Sequence, residues 1–582
     1  MLKTIRKISN YLLEPIRTNM VFFMIMYVLG TICIIFEPFA WFGSRILSEF
    51  ELFLDIYLLC ILLCLFKGKI KKSILFILYV FLYVVAIIDM ACYVRLGIGI
   101  SPLYFQMAAQ SNMNETIEML STYCSPAMLL TPFSFIIILI LLHVFVIKEK
   151  LFNRLHLFKN TIIPGLFILL LLAVSIVIAS NNKRYFYYRV ICQTSELDIQ
   201  EHEDLTPATG YYIPIYRLLY SISEYNRLKP VTNVLYNTIK NTSTDSCSFR
   251  SQNIILIIGE SYNRNHSHLY GYRLPTTPYQ DSLASVGNLV KYTDVVSSWN
   301  TTCESFENIL SLYSVGDKGK WYQYPFFTTM LKKSGYSTFF LSNQFVTDPG
   351  SSFSAFIEDI FINDSIVSKA QFSYRNQHIH SYDEGLVDDC RKLSKLSMQN
   401  NLWIFHTMGI HAKFSERYPE KWHRFLPSDY HRPDLSDDDI EELSDYDNAI
   451  YYNDYVIHSI IDCFKDKDAI VIFFPDHGER IFDNDNEFGR NLSWNKNDVQ
   501  QQFQIPFWFY YTDLYKQHHP EIVEIIEKNK GKRYMTDIIS HTILSLAGVK
   551  SSYYKPEKDI LNEKYDEKRK RIIREQRDFD NL

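Results

Sequence analysis

Long apolar runs fill the first third of the chain; past residue 180 they give way to short apolar runs set between polar, helix-forming stretches. A helix needs about 20 mostly apolar residues to cross a bilayer. Runs of that kind lie at 20–40, 47–66, 73–93, 128–147 and 161–180. MLLTPFSFIIILILLHVFVI and TIIPGLFILLLLAVSIVIA are the clearest, and the second run carries Asp55 near its start. Five such runs in succession, joined by short loops, read as transmembrane helices rather than buried core helices. The first is too long for a signal peptide, lacks a small-residue cleavage site and is followed by further spans.

Lysine and arginine in the short loops give the orientation. Lys3, Arg6, Lys7 and Arg17 precede the first run, Lys67, Lys69, Lys71 and Lys72 fill the second turn, and Lys148, Lys150, Arg154 and Lys159 fill the fourth. These loops are expected in the cytoplasm and everything after residue 180 outside it. Lys183 and Arg184 fall on the opposite side and conflict with that assignment.

Residues 181–250 read as a linker. Within it YYIPIYRLLYSISEY (211–225) has apolar residues at helical spacing, as in an interfacial helix or a packed surface helix. From 251 to 555 the pattern predicts strands at 253–259, 337–342, 402–409, 469–475 and 505–511, separated by helical stretches. Near-continuous apolar strands alternating with helices predict a mostly parallel sheet covered on both faces. The charged segment 556–582 reads as a solvated helix or a disordered end.

Bulk properties add little to this division. The 582 residues carry a net charge of −5, too small to point to a nucleic-acid partner, and the 15% aromatic content suits a chain with interfacial Tyr and Trp. Cys33, Cys60 and Cys64 lie within spans. The other seven cysteines would face an oxidising compartment where disulfides form, with no zinc-finger spacing among them.

Sites in open α/β sheets form beyond the carboxyl ends of the strands. Glu260 follows the first predicted strand, His411 the third, and Asp476 and His477 the fourth. Glu, Asp and His together suit zinc, which takes oxygen and nitrogen ligands and can both activate a hydroxyl and neutralise a phosphoryl oxygen. Taken singly, each has a plainer reading: Glu260 as a helix-opening carboxylate, Asp476 and His477 as parts of a loop ion pair.

The segments IIGESYNRNHSHLYGYRLPTTP (257–278) and FFPDHGER (473–480) together resemble the phosphoethanolamine transferases, a branch of the alkaline-phosphatase/sulfatase superfamily. The resemblance covers nearly the whole chain, including the five apolar runs. It implies a five-helix membrane domain (1–180) and an extracytoplasmic α/β/α sandwich (251–555), with Glu260, Asp476 and His477 as zinc ligands. It also implies a nucleophilic threonine, itself a metal ligand, in WNTTCESFENILSLYS (299–314). Alignment of that segment selects Thr302, with Thr301 and Cys303 as its one-residue slips. His411, in FHTMGIHAKFSERYP, and Asp383, in SYDEG, become candidate substrate-binding residues. So do Ser111 and Glu115 in the external loop 94–127. His406 reads as a core or capping residue. Some family members place a further histidine about a dozen residues beyond DHGE, where this chain reads IFDNDNEFGRN, with a GRN similar to that of the core-modifying branch; the difference removes one expected phosphate contact.

The implied reaction moves phosphoethanolamine from phosphatidylethanolamine, through a covalent threonine intermediate, to lipid A, lipopolysaccharide core or another envelope glycan. The setting is a bacterial inner membrane with the catalytic domain in the periplasm. Sulfatase chemistry is disfavoured because Cys303 is followed by ESFE, without the C-x-P-x-R context. A glycerophosphate transferase of the lipoteichoic-acid-synthase type is the nearer alternative, and a non-enzymatic glycan-binding membrane protein is the other.

Overall fold

The computed structural model describes residues 2–36, 42–96, 99–101, 130–148, 162–194, 213–346, 360–483, 487–491 and 493–582. Two compact units divide the chain, the first over Met1–Pro230 and the second over Val231–Asp348 and Glu358–Leu582.

The first unit is helical: α1 (Leu2–Thr18), α2 (Met20–Ile35), α3 (Phe42–Cys64), α4 (Gly68–Leu96), α5 (Phe133–Lys148) and α6 (Ile162–Phe186). The described parts of the five apolar runs fall largely on these helices, but length and composition single out fewer of them as spans. Gly68–Val94 and Ile162–Ile191 are long and apolar enough to cross a membrane, and α1 with α2, bent by 74°, makes up to three. In α3, Arg45, Glu49, Glu51 and Asp55 make the first half polar, and α5 has only 16 residues.

Those polar residues have partners. Lys183 Nζ, near the end of α6, lies 2.8 Å from Asp55 Oδ1 and 3.1 Å from Glu51 Oε1, both in the middle of α3. Asp89, near the end of α4, holds Arg217 at 2.7 Å. The lysine that conflicts with the charge rule is therefore the counter-ion of the carboxylate that weakens the second run. The expected helix at 211–225 is longer than the pattern indicates, running as α7 (Pro214–Asn241) with Pro230 inside it.

The second unit is built on a sheet of seven strands, β1 (Asn253–Gly259), β2 (Leu289–Tyr292), β3 (Ser337–Ser342), β4 (Tyr374–Arg375), β5 (Asn401–His406), β6 (Ala469–Pro475) and β7 (Phe507–Tyr511), in the order β2-β7-β6-β1-β5-β3-β4. The sheet is mixed. The four pairings on the β6-to-β4 side are parallel, and both pairings of β7 are antiparallel. β2 and β4 are short strands the apolar pattern does not reveal.

Because side chains alternate across a strand, β1 feeds two cores. Ile254, Leu256 and Ile258 pack with Phe306, Ile309 and Leu310 of α8 (Thr302–Leu310). Ile255 and Ile257 pack on the other face with Leu443, Tyr446 and Ile450 of α9 (Asp437–Asp462). α9 starts cleanly because Ser436 Oγ accepts the Asp439 N–H at 3.2 Å, and Asp437, Asp438 and Asp439 lie at the positive end of the helix dipole.

The 556–582 segment corrects the sequence reading, since it is ordered and belongs to the second unit. Ile560 and Ile573 are fully buried. In this segment Arg569 pairs with Asp537, and Arg571 with Asp294 and Asp580. A small hairpin, Ile572–Ile573 against Arg577–Asp578, ends it. Cys390 and Cys463 lie within hydrogen-bonding reach of each other, with no disulfide among the described residues.

Candidate active site

Strand register assembles the site. Ile258 pairs with His406, Ser342 with His406, and Gly259 with Pro475, so four neighbouring parallel strands end level. The residues that follow them, Glu260, Asn343 and Gln344, Thr407, and Asp476 and His477, meet at one edge. The Asp476 N–H donates to Gly259 O at 3.0 Å and the Tyr262 N–H to His477 O at 3.0 Å, extending the ladder just far enough to fix both turns.

Ser261 turns the chain away from β1 with φ +54°, a left-handed conformation that costs about 1 kcal/mol for a residue with a Cβ. Two contacts hold it there: its hydroxyl donates to Glu260 Oε1 at 2.7 Å, and its carbonyl accepts the Tyr446 hydroxyl at 2.8 Å. Gly409, at φ +53°, passes so close that an added Cβ would lie 2.9 Å from Glu260 N. At Gly478 an added Cβ would lie 2.2 Å from Gln501 O. Neither position leaves space for a side chain.

Glu260, Asp476 and His477 are fully buried, and one ligand atom from each lies within 4.8 Å of the others. His477 Nδ1 faces Gly478 O at 2.8 Å, which assigns the proton to Nδ1 and turns the Nε2 lone pair inward. Nε2 lies 3.2 Å from Glu260 Oε1 and 3.5 Å from Asp476 Oδ2. Thr302, the first residue of α8, donates from Oγ1 to Glu260 Oε2 at 3.1 Å. Thr301 occupies the cap position, makes no side-chain cap, and has a buried hydroxyl without a hydrogen-bond partner.

The electrostatics fit a cation. Burial opposes the charge on Glu260, but His477, His411 and Arg490 outweigh it and hold the carboxyl well below its usual range. Burial and the neighbouring Glu260 charge push Asp476 well up. Two carboxyls in one dry space cannot both ionise cheaply without a positive charge between them. Asp476 Oδ2 is buried with no hydrogen-bond partner, which leaves it for such a charge. Among the described residues this is the one His/Cys/Asp/Glu group arranged to hold a metal, and its oxygen and nitrogen donors suit zinc.

Other predicted residues fall differently. His411 follows the β5 turn, acts electrostatically on Glu260, and is itself pushed down by burial. Asp383 is turned toward the protein rather than toward a ligand. Its Oδ1 accepts from Met408 N at 2.8 Å and Asn343 Nδ2 at 2.9 Å, and its Oδ2 accepts from Gly409 N at 2.9 Å. Its place is to hold the turn that carries His411. His406 is a core residue, packed between Phe306 and Phe345 and pushed down by burial to about 3. Ser111 and Glu115 lie outside the described residues.

Three participants escaped the sequence reading. Gln344 Nε2 donates to Glu260 Oε2 at 2.9 Å and to Thr407 O at 2.9 Å, orienting the carboxylate. Glu479 is buried and pushed up by that burial to about 7. Arg490 reaches His477 Nε2 at 2.9 Å. Glu479 and Arg490 had a signal, the DHGE and GRN motifs in which they stand; Gln344 had none.

The NRNHSHLYGY and TTP stretches prove to be scaffolding. Thr276 Oγ1 donates to His266 O at 2.7 Å, Leu269 N to Thr277 Oγ1 at 2.9 Å, and the Tyr270 hydroxyl to Phe507 O at 2.7 Å. His266 is clamped between Asp447 at 2.6 Å and Asp483 at 2.9 Å. Burial works against its charge, but the two carboxylates win and raise it to about 10. An imidazole raised from about 6.5 contributes stability that is complete below the unfolded value and is lost as pH climbs through the folded one. The thermal midpoint of the chain in detergent should therefore fall between about pH 6.5 and about 10. His266→Gln should lower the midpoint at pH 6.5 and flatten that fall; parallel curves for the two proteins would show that His266 is not the linked group.

Comparison with known proteins agrees with this geometry. The sulfatase family profile matches residues 252–549, just over half of the chain. The phosphoethanolamine transferase EptC of Escherichia coli O18:K1:H7 is 28% identical over 368 residues, covering 62% of this chain and 60% of that protein. The chain thus aligns with three-fifths of that relative's length. The phosphoethanolamine transferase CptA of Salmonella typhimurium is 26% identical over 541 residues, covering 90% and 88%. The crystal structure of the C-terminal periplasmic domain of EcEptC from Escherichia coli superposes with a TM-score of 0.50 at 27% identity, covering 57% of this chain and 93% of that one. With its family profile spanning the sheet and every residue that meets at its edge, the chain belongs to the sulfatase family.

Proposed function

We propose that this protein is a membrane-bound, zinc-dependent phosphoethanolamine transferase, with phosphatidylethanolamine as donor and lipid A, lipopolysaccharide core or another envelope glycan as acceptor. The observation that carries the reading is the convergence of Glu260, Asp476 and His477, with the hydroxyl of Thr302 at the head of a helix donating to Glu260. Similarity to EptC and CptA supplies the group transferred.

Glu260, Asp476, His477 and Thr302 would hold the zinc. When bound, the metal lowers the pKa of a coordinated hydroxyl and withdraws charge from a phosphoryl oxygen. Thr302 Oγ1 then forms a bond to the donor phosphorus while the bond to the diacylglycerol oxygen breaks, and diacylglycerol leaves with a proton. In the resting site the hydroxyl proton is shared with Glu260 Oε2. The N–H groups of the first turn of α8 face the charge that develops on the phosphoryl oxygens. An acceptor hydroxyl or phosphate then displaces Thr302, giving two-step kinetics.

A lipid donor explains the helical first unit. We read its five apolar helices as spans with the N-terminus in the cytoplasm and the second unit in the periplasm. In that reading the carboxylates in the middle of α3 are balanced by Lys183 near the end of α6. The test is mass spectrometry of envelope lipids and glycans from cells with and without the gene. Added phosphoethanolamine only when the gene is present is the expected result. Phosphoglycerol in its place, or no difference, would reject the assignment.

A further inference from the structure

We propose that a cavity on the β2–β7 side of the sheet edge is a second binding site, which seats a sugar bearing a phosphate or carboxylate group and meets that charge with Arg264 and Lys496. This rests on the reading of the protein as a transferase with a glycan acceptor, and it gives that acceptor a place to sit beside the metal site.

The cavity holds about 420 Å³, within the range of about 300–1,000 Å³ usual for small-molecule sites. It lies along the same sheet edge as the metal ligands. Tyr292, the last residue of β2, pairs with Phe507, the first of β7, and Phe473 of β6 pairs with Trp508 of β7. Thr293 and Asp294 after β2, Gln504 before β7 and Arg264 after β1 therefore line the cavity at the edge where Asp476 follows β6. Arg264 is four residues past Glu260, so their Cα atoms are no more than about 14 Å apart.

A short helix touches both sites. α10 (Lys496–Phe503) turns Lys496, Val499 and Gln500, which share one helix face, to the cavity. Its Gln502 Oε1 accepts Asn300 Nδ2 and the Asn491 N–H, each at 2.9 Å, just before Thr302. The terminal hairpin lies on the same side. Arg571 and Phe579 line the cavity, the Arg574 N–H donates to Ser298 O at 2.9 Å, and the Arg574 guanidinium covers the Trp494 ring at 3.7 Å. A ligand in the cavity thus lies against the start of the segment 294–300 that runs on to the nucleophile.

Charge selects the ligand. Asp294 and Asp580 at the wall are already engaged: Arg571 holds Asp294 at 2.6 Å and also pairs with Asp580, as does Arg533. Arg264 has only neutral partners, donating from Nη1 to Thr293 O at 2.7 Å and from Nη2 to Gln504 Oε1 at 3.0 Å. A guanidinium has five N–H groups, so three remain for a ligand. Burial and the neighbouring Arg571 press against its charge, and an oxyanion relieves both. Lys496 is exposed, and among the described residues no carboxylate lies within ion-pair distance of it. The amides of Gln500 and Gln504 suit ring hydroxyls, and Val499 offers an apolar patch to ring C–H groups. A nucleotide fits less well, because Phe579, the one aromatic ring at the wall among the described residues, already carries Arg571 at 5.2 Å.

The test is calorimetric binding to the zinc-loaded full-length chain in detergent, with glucose 6-phosphate, glucuronate and glucose as probes. At least one anionic sugar should bind about tenfold more tightly than glucose, and the tighter of the two identifies the oxyanion. Lys496→Glu should weaken that binding about tenfold or more with zinc content and thermal midpoint unchanged, and Arg264→Gln should weaken it in the same way. In turnover with deacylated lipopolysaccharide as acceptor, the loss should appear in KM rather than in kcat. Glucose binding as tightly as both anionic sugars would overturn the assignment. So would affinity in Lys496→Glu within about twofold of the parent chain, or an acceptor KM that does not move. A parent chain that binds the anionic sugar through Lys496 and yet forms no adduct from phosphatidylethanolamine would keep the cavity as a sugar site and lose the transferase reading.

Discussion

Phosphatidylethanolamine incubated with the zinc-loaded chain, with no acceptor present, is expected to leave a phosphoethanolamine group on Thr302. Peptide mass spectrometry locates it. Thr302 is favoured over its neighbour because its Oγ1 bonds to Glu260 at 3.1 Å, whereas the Thr301 hydroxyl meets no partner. Thr302→Ala should lose the adduct and lower turnover by about 10³-fold or more, the order expected when a covalent nucleophile is removed. It should keep much of its zinc, since Glu260, Asp476 and His477 remain. Thr302→Ser retains the hydroxyl and should retain measurable turnover, reduced because the lost methyl group no longer restricts the rotamer. An adduct on Thr301 would shift the mechanism by one residue. Full turnover by Thr302→Ala would remove its central step.

Asp476→Ala and His477→Ala should each lose most of the bound zinc and reduce turnover by about 10²-fold or more, because each removes one of a small set of ligands. Asp476→Asn separates charge from shape: it fills the same space and should still bind zinc poorly, since the site needs the carboxylate to balance the cation. A chelator should lower the thermal midpoint of the parent chain, leaving two buried carboxyls to share a dry pocket, and zinc should restore it. The same chelator should have little effect on Asp476→Asn. Metal content by elemental analysis and thermal melts decide the matter. Unchanged zinc in both alanine variants would take these residues out of the metal site.

Most of this site lies within reach of the sequence because strand ends are legible. A run such as NIILIIG reads as a buried strand whose following residue falls at the sheet edge, so Glu260, Asp476 and His477 are candidates by position, and their motifs GES and DHGE turn them from plain edge residues into a ligand set. Gln344 follows a strand just as well, yet glutamine is common at strand ends and nothing local says that it will turn toward Glu260. Asp383 shows the opposite failure: a carboxylate near the site attracts a ligand-binding reading, and only the positions of Met408 and Gly409 reveal that backbone donors already claim it. The short strands β2 and β4 lack any long apolar run and owe their existence to neighbours already in place. The 556–582 segment misleads for a related reason. Its charges resemble a solvated face until Asp294, Asp317 and Asp537 supply counter-charges from distant parts of the chain.

That terminal segment also bears on timing. A chain is made from its N-terminus, so the helices of the first unit and the strands that carry Glu260 and Asp476 have been synthesised before the hairpin at 572–578 exists. Until Arg574 reaches Ser298 and covers Trp494, the loops bearing Thr302 and Arg490 lack their outer brace. The loops that carry the site are therefore completed only when the hairpin at 572–578 has been made.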